Sequence, residues 1–133
     1  MENNIFRLDG KVALITGASY GIGMAMAKAL AEAGATIVFN DRNPDRIPEA
    51  LAEYRRCGID ARGYLFDVTD EKAVRENIVK ITSEAGVIDI LVNNAGIIRR
   101  IPALEMDADE FREVIDIDLT GPFIVSKAVA PGM

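Results

Sequence analysis

The sequence predicts an α/β fold, a three-layer sandwich with a parallel sheet between helices, reaching about four strands within its 133 residues. Three observations carry this. Short apolar runs alternate with stretches of helical periodicity four times along the chain. The first run, 12–15, is apolar throughout, as a strand covered on both faces must be. It leads straight into glycines at 17, 21 and 23 and then into a helical pattern. Strand, glycine turn and helix together form the geometry that holds a phosphate. Glycine lets the backbone approach the ligand, and the helix start offers free N–H groups and positive dipole.

The elements follow in order. Residues 1–10 are a polar lead-in closed by the turn signal Asp9-Gly10. The first helix, 22–33, carries Ala25, Met26, Ala29, Leu30 and Ala33 on one face, and Gly34 ends it. Its alanines allow close approach to a sheet. The run 35–39, β-branched at Thr36, Ile37 and Val38, is the second strand. It closes on Asn40-Asp41-Arg42-Asn43-Pro44, with Asp41 standing 24 positions after Gly17. A carboxylate at about that spacing can take the hydroxyls of a ribose. The competing reading has Asp41 capping the next helix, a task for which Asp45 is better placed.

The second helix spans 44–57, starting near Ile47 with Pro48 in its first turn and Ala50, Leu51 and Tyr54 as its apolar stripe. A third strand, 61–66, runs into Asp67-Val68. Thr69 and Asp70 open a third helix with Ala73, Val74, Ile78 and Ile81 on its buried side and Gly86 at its end. The fourth strand, 88–92, delivers Asn93-Asn94-Ala95-Gly96. A loop, 97–104, then carries Arg99 and Arg100, which could hold a substrate carboxylate or simply be solvated. Asp107 to Glu110 form a capping box, and 117–130 is a further helical run with Pro122 early in it.

Composition narrows the function. A net charge of −6 opposes a nucleic-acid surface. No stretch approaches the ~20 apolar residues of a membrane span, and the amino terminus has no apolar signal core, so a cytoplasmic protein is expected. With no histidine and a single cysteine, Cys57, there is no internal disulfide, no metal site is expected, and no histidine-dependent nucleophile is available.

Thr16 to Gly23 reads Thr-Gly-x-x-x-Gly-x-Gly, and Asn93 to Gly96 reads Asn-Asn-Ala-Gly. Together they resemble the short-chain dehydrogenase/reductase family, whose domain is Rossmann-like. The resemblance implies an NAD or NADP cofactor. It implies that Gly17, Ser19, Tyr20, Gly21, Ile22 and Gly23 hold the phosphates, with Thr16 adding a hydroxyl nearby. Asp41 and Arg42 would meet the adenosine ribose, Asp67 and Val68 the adenine, and Asn94, Ala95 and Gly96, with Asn93, the pocket beyond the fourth strand. For Asp67 a plain turn role competes. Asp41 favours NAD, because it would repel a 2′-phosphate by about 4 kcal/mol at 4 Å before screening. Arg42 keeps NADP open.

The runs 39–44 and 94–102, with Glu105-Met106, resemble the gluconate 5-dehydrogenase branch of that family. This implies a sugar-acid substrate and gives Arg99 and Arg100 a purpose. Two departures stand out. Asp118 occupies the position where the family usually has the asparagine of its proton relay. The family's Tyr-x-x-x-Lys pair is missing: the residues four after Tyr20, Tyr54 and Tyr64 are Met24, Gly58 and Val68. The expectation is therefore a cofactor-holding amino-terminal portion, inactive by itself, with a non-catalytic dinucleotide-binding fragment as the alternative. A third reading is an interaction fragment without useful cofactor affinity. The resemblance implies strand order 3-2-1-4 here, which leaves the fourth strand as an apolar edge; the chain is expected to associate through it as a homo-oligomer, to need a further C-terminal part, or to be the ordered piece of a longer product.

Overall fold

The computed structural model describes residues 4–133. The first three residues of the polar lead-in lie outside the described range. Strands β1 (Val12–Ile15), β2 (Thr36–Asp41), β3 (Arg62–Leu65) and β4 (Ile90–Val92) form one parallel sheet in the order β3-β2-β1-β4. Ile15 stands beside Phe39 on one side and Val92 on the other, and Asp41 stands beside Leu65. All four residues of β1 are buried, because helices cover both faces of the sheet.

Alternation along the strands sorts the core into two layers. Ala13, Ile15, Ile37 and Phe39 face α1 (Gly21–Glu32) and α2 (Arg46–Arg56), where they meet Met24, Ala27, Ala50 and Tyr54. Leu14, Val38, Tyr64 and Phe66 face the opposite layer, α3 (Glu71–Ala85) and α5 (Gly121–Val129), through Val74, Ile78, Ile81, Val125 and Val129. The expected α/β class, its sandwich architecture and its four parallel strands are all present.

Element ends differ from the sequence reading for identifiable reasons. β4 begins at Ile90 rather than Ile88, because the Asp89 carboxylate takes the Val12 N–H that would have entered the ladder, at 2.9 Å. β2 extends to Asp41, because the Asn40 side chain donates to the Phe66 carbonyl and Phe66 N–H donates to the Asp41 carbonyl. Asp45 precedes α2 in helical conformation and makes no side-chain cap. Two successive Asx turns lead into the helix instead: Asn43 N–H donates to Asp41 Oδ1, and Asp45 N–H donates to Asn43 Oδ1. The capping box opens α4 (Ala108–Ile115) as expected. The helical run after it starts with a π-helical turn, Asp116–Thr120, before α5, and ends in a 3₁₀ turn, Ala130–Gly132.

Candidate dinucleotide-binding site

A cleft of about 550 Å³ lies across the C-terminal edge of the sheet, within the size range of small-molecule sites. Each strand contributes the loop that follows it. Gly17 and Tyr20 to Gly23 come from β1, and Asn40 to Asn43 with Arg46 from the end of β2 onward. Phe66 to Val68 come from β3, and Asn94 to Ile97 from β4, with Ile117 at the back.

The turn after β1 is fixed from three sides. Thr16, 1% exposed, uses its hydroxyl oxygen to accept from the amides of Asn94 and Ala95, both at 3.0 Å. Asn94 Nδ2 returns hydrogen bonds to the carbonyls of Thr16 and Gly17. Gly17 N–H donates to Asn40 Oδ1 at 2.9 Å, and the buried Tyr54 hydroxyl donates to the Ala18 carbonyl at 2.7 Å. Glycine is required at 17: φ is +64°, and a Cβ there would stand 2.9 Å from Ala95 Cα. At Gly23 a Cβ would overlap Asn94 Nδ2 and crowd Ala18 Cα at 3.0 Å.

Two hydroxyls of this turn are engaged within the chain. The Thr16 hydroxyl is spent stitching β1 to the loop after β4. The Ser19 hydroxyl is buried and donates to Asp41 Oδ2, so Ser19 supports the site from behind and does not line the cleft. Gly17 lines the cleft, yet its amide is satisfied by Asn40. The first turn of α1, starting at Gly21, is where the cleft meets a helix start. That helix begins without a side-chain cap and with no acidic residue in its first turn. A Cβ on Gly21 would meet nothing within 4 Å, so the backbone there opens to solvent. An uncapped helix start facing a cleft suits a pyrophosphate.

Asp41 is 6% exposed and lines the cleft. Ser19 donates to one of its oxygens and Asn43 N–H to the other, the latter at 2.7 Å. A carboxylate accepts about four hydrogen bonds, so two cleft-side hydroxyls can still be received. Asp67 takes the turn role at the end of β3. Its Oδ1 accepts from the amide and hydroxyl of Thr69, building the turn, and the residue also lines the cleft beside buried Val68.

Other candidates fall outside. Asn93 turns away, its Nδ2 donating to Ser126 Oγ on α5 at 3.0 Å. Arg99 is paired with Glu113 at 2.7 Å, and neither it nor Arg100 lines the cleft. Asp118 does not line it either; its Oδ1 accepts from Ile97 N–H at 2.9 Å, an acceptor role open to aspartate and asparagine alike. Sequence reasoning missed Asn40, Tyr54 and Arg46. A polar residue inside a β-branched strand was the available signal for Asn40; Arg46 carried none. Among the described residues no group of three or more metal-ligating side chains occurs, and no helix is long and apolar enough to cross a membrane.

These features define a Rossmann-like α/β domain with a cleft at the C-terminal edge of its parallel sheet, and the sequence model of the short chain dehydrogenase family matches residues 11–133. The chain belongs to that family. It is 54% identical, over 134 aligned residues, to a 2-dehydro-3-deoxy-D-gluconate 5-dehydrogenase of Formosa agariphila, covering 100% of this chain and 51% of that protein. The crystal structure of a 2-keto-3-deoxy-D-gluconate dehydrogenase from Streptococcus agalactiae superposes with a TM-score of 0.86 at 62% identity, over 96% of this chain and 48% of that one. A gluconate 5-dehydrogenase from Burkholderia cenocepacia, crystallised with NADP and tartrate, gives 0.86 at 45% identity, over 95% of this chain and 49% of that one. The chain thus spans about half the length of the relatives it matches.

Proposed function

We propose that this chain is the cofactor-holding portion of a nicotinamide-dependent oxidoreductase acting on a sugar acid of the gluconate or 2-keto-3-deoxygluconate type. The observation that carries the proposal is the joining of the uncapped start of α1 and the anchored Asp41 carboxylate in one cleft. The first-turn amides of α1 would hold the pyrophosphate, Asp41 the adenosine ribose, and Asp67 with Val68 the adenine. Ala95 and Gly96, a methyl group and a bare backbone in the loop after β4, would leave room for the nicotinamide half. A nicotinamide held there would supply or accept hydride at the substrate carbon. Asp41 favours the unphosphorylated ribose. The substrate class rests on the relatives' names; on this chain Arg100, which lies outside the Arg99–Glu113 pair, is the remaining cation of its loop for a substrate carboxylate.

A non-catalytic binding module is the second reading, supported by the lack of Tyr-x-x-x-Lys among the 133 residues. Fluorescence titration of the pure chain with NADH tests the common part: saturable binding is expected, and no binding of either NADH or NADPH overturns both readings. Adding gluconate with NAD or NADP tests the remainder. No turnover by the chain alone is expected; sustained turnover would show that the acid/base groups lie within these residues.

A further inference from the structure

We propose that Arg46, held by stacking on Tyr20, is a second cation for a ribose 2′-phosphate and lets this cleft accept NADP despite Asp41; this rests on the dinucleotide reading above. The Arg46 guanidinium carbon lies 4.3 Å from the centre of the Tyr20 ring. Both residues line the cleft on the lip that carries Asp41, Arg42 and Asn43. Tyr20 immediately precedes the start of α1 and Arg46 is the first residue of α2, so the stack bridges the openings of the two helices on one face of the sheet. Tyr20 is 59% exposed, a large aromatic side chain kept at the surface with the arginine as its partner.

The charge balance supports the assignment. Among the described residues, neither Arg42 nor Arg46 makes an ion pair with a carboxylate. Asp41 is the one acid on this lip of the cleft, and its two oxygens are drawn inward by Ser19 and Asn43 N–H. Two cations therefore share this lip with one carboxylate, itself hydrogen-bonded by Ser19 and Asn43, where a ribose would sit. A guanidinium offers a planar fork suited to phosphate oxygens, and stacking on a ring fixes its plane before the ligand arrives. Tyr20 is in this sense a positioning residue: it presents Arg46 and does not itself have to touch the phosphate.

The test measures dissociation constants of NADPH and NADH for the 133-residue chain and its variants by nicotinamide fluorescence, with melting curves confirming that each variant is folded. Wild type should bind both. Arg46→Gln should weaken NADPH at least tenfold more than NADH. Tyr20→Leu should shift the same ratio at least threefold, and Tyr20→Phe, which keeps the ring, should restore it. A ratio unmoved by Arg46→Gln overturns the inference, as does a wild type that binds NADH but not NADPH; in both cases the dinucleotide reading stands. A wild type that binds neither overturns that reading and this inference together.

Discussion

Tyr54 supports the glycine turn from beneath. Its ring is buried against Phe39, with centroids 5.1 Å apart, and its hydroxyl satisfies the Ala18 carbonyl. Replacing it with phenylalanine leaves that carbonyl unpaired, at a cost of about 1–3 kcal/mol, measurable by urea denaturation at pH 8. Burial also pushes the Tyr54 phenol well above its ordinary value. Burial, reinforced by the hydrogen bond to Glu84, pushes Tyr64 up to about 12. Both phenols stay protonated longer folded than unfolded, so their contribution is complete below pH 10 and is lost as pH rises toward 12 and beyond. Stability should fall across that window, and Tyr54→Phe should fall less steeply than wild type; parallel curves would contradict the assignment. The conformation of Gly17 and the places of Asp41 and Asp67 at or just beyond the ends of β2 and β3 were legible in the sequence because local chain pattern sets them; the need for glycine at 23 was not, since it comes from the Asn94 side chain. Thr16, Ser19 and Asn40 were not, because their hydrogen-bond partners lie 22 to 79 residues away along the chain.

At the scale of elements, periodicity located every strand and helix, while side chains set their ends. Asp89 shortens β4 and Asn40 lengthens β2, and neither effect is encoded in hydrophobic pattern. α4 is the element most dependent on local chemistry. It has no buried residue, and its capping box joins the Asp107 side chain to the N3 amide and Glu110 to the Asp107 amide at 2.9 Å. Asp107→Ala should cost about 0.5–2 kcal/mol. The loss should appear as faster hydrogen exchange across Ala108–Ile115, with α1 unchanged; unchanged exchange in α4 would show that packing, not the cap, holds it.

For the whole molecule, the order β3-β2-β1-β4 places β4, with its three half-buried residues, at a sheet edge. Separately, along α4, the π turn and α5, Phe111, Ile115, Leu119 and Phe123 recur every four residues and are all exposed, three of them by more than half. Fully burying such a side chain is worth about 1.5–3 kcal/mol, so copies of this chain should pair across that face. Sedimentation over a hundredfold concentration range should show concentration-dependent association, abolished by Phe111→Glu with Phe123→Glu. A monomer at all concentrations would contradict this. The family resemblance implied the β4 edge; the apolar stripe emerged only once α4, the π turn and α5 proved continuous.

The start of α1 and the carboxylate ending β2 should act together on one dinucleotide. Amide-resolved nuclear magnetic resonance of the chain titrated with NADH tests it most directly. The account predicts saturable shifts at Gly21, Ile22 and Gly23, accompanied by Asp41, Val68, Ala95 and Gly96, with a common dissociation constant. Shifts confined to other surfaces, or none in the first turn of α1, would contradict it.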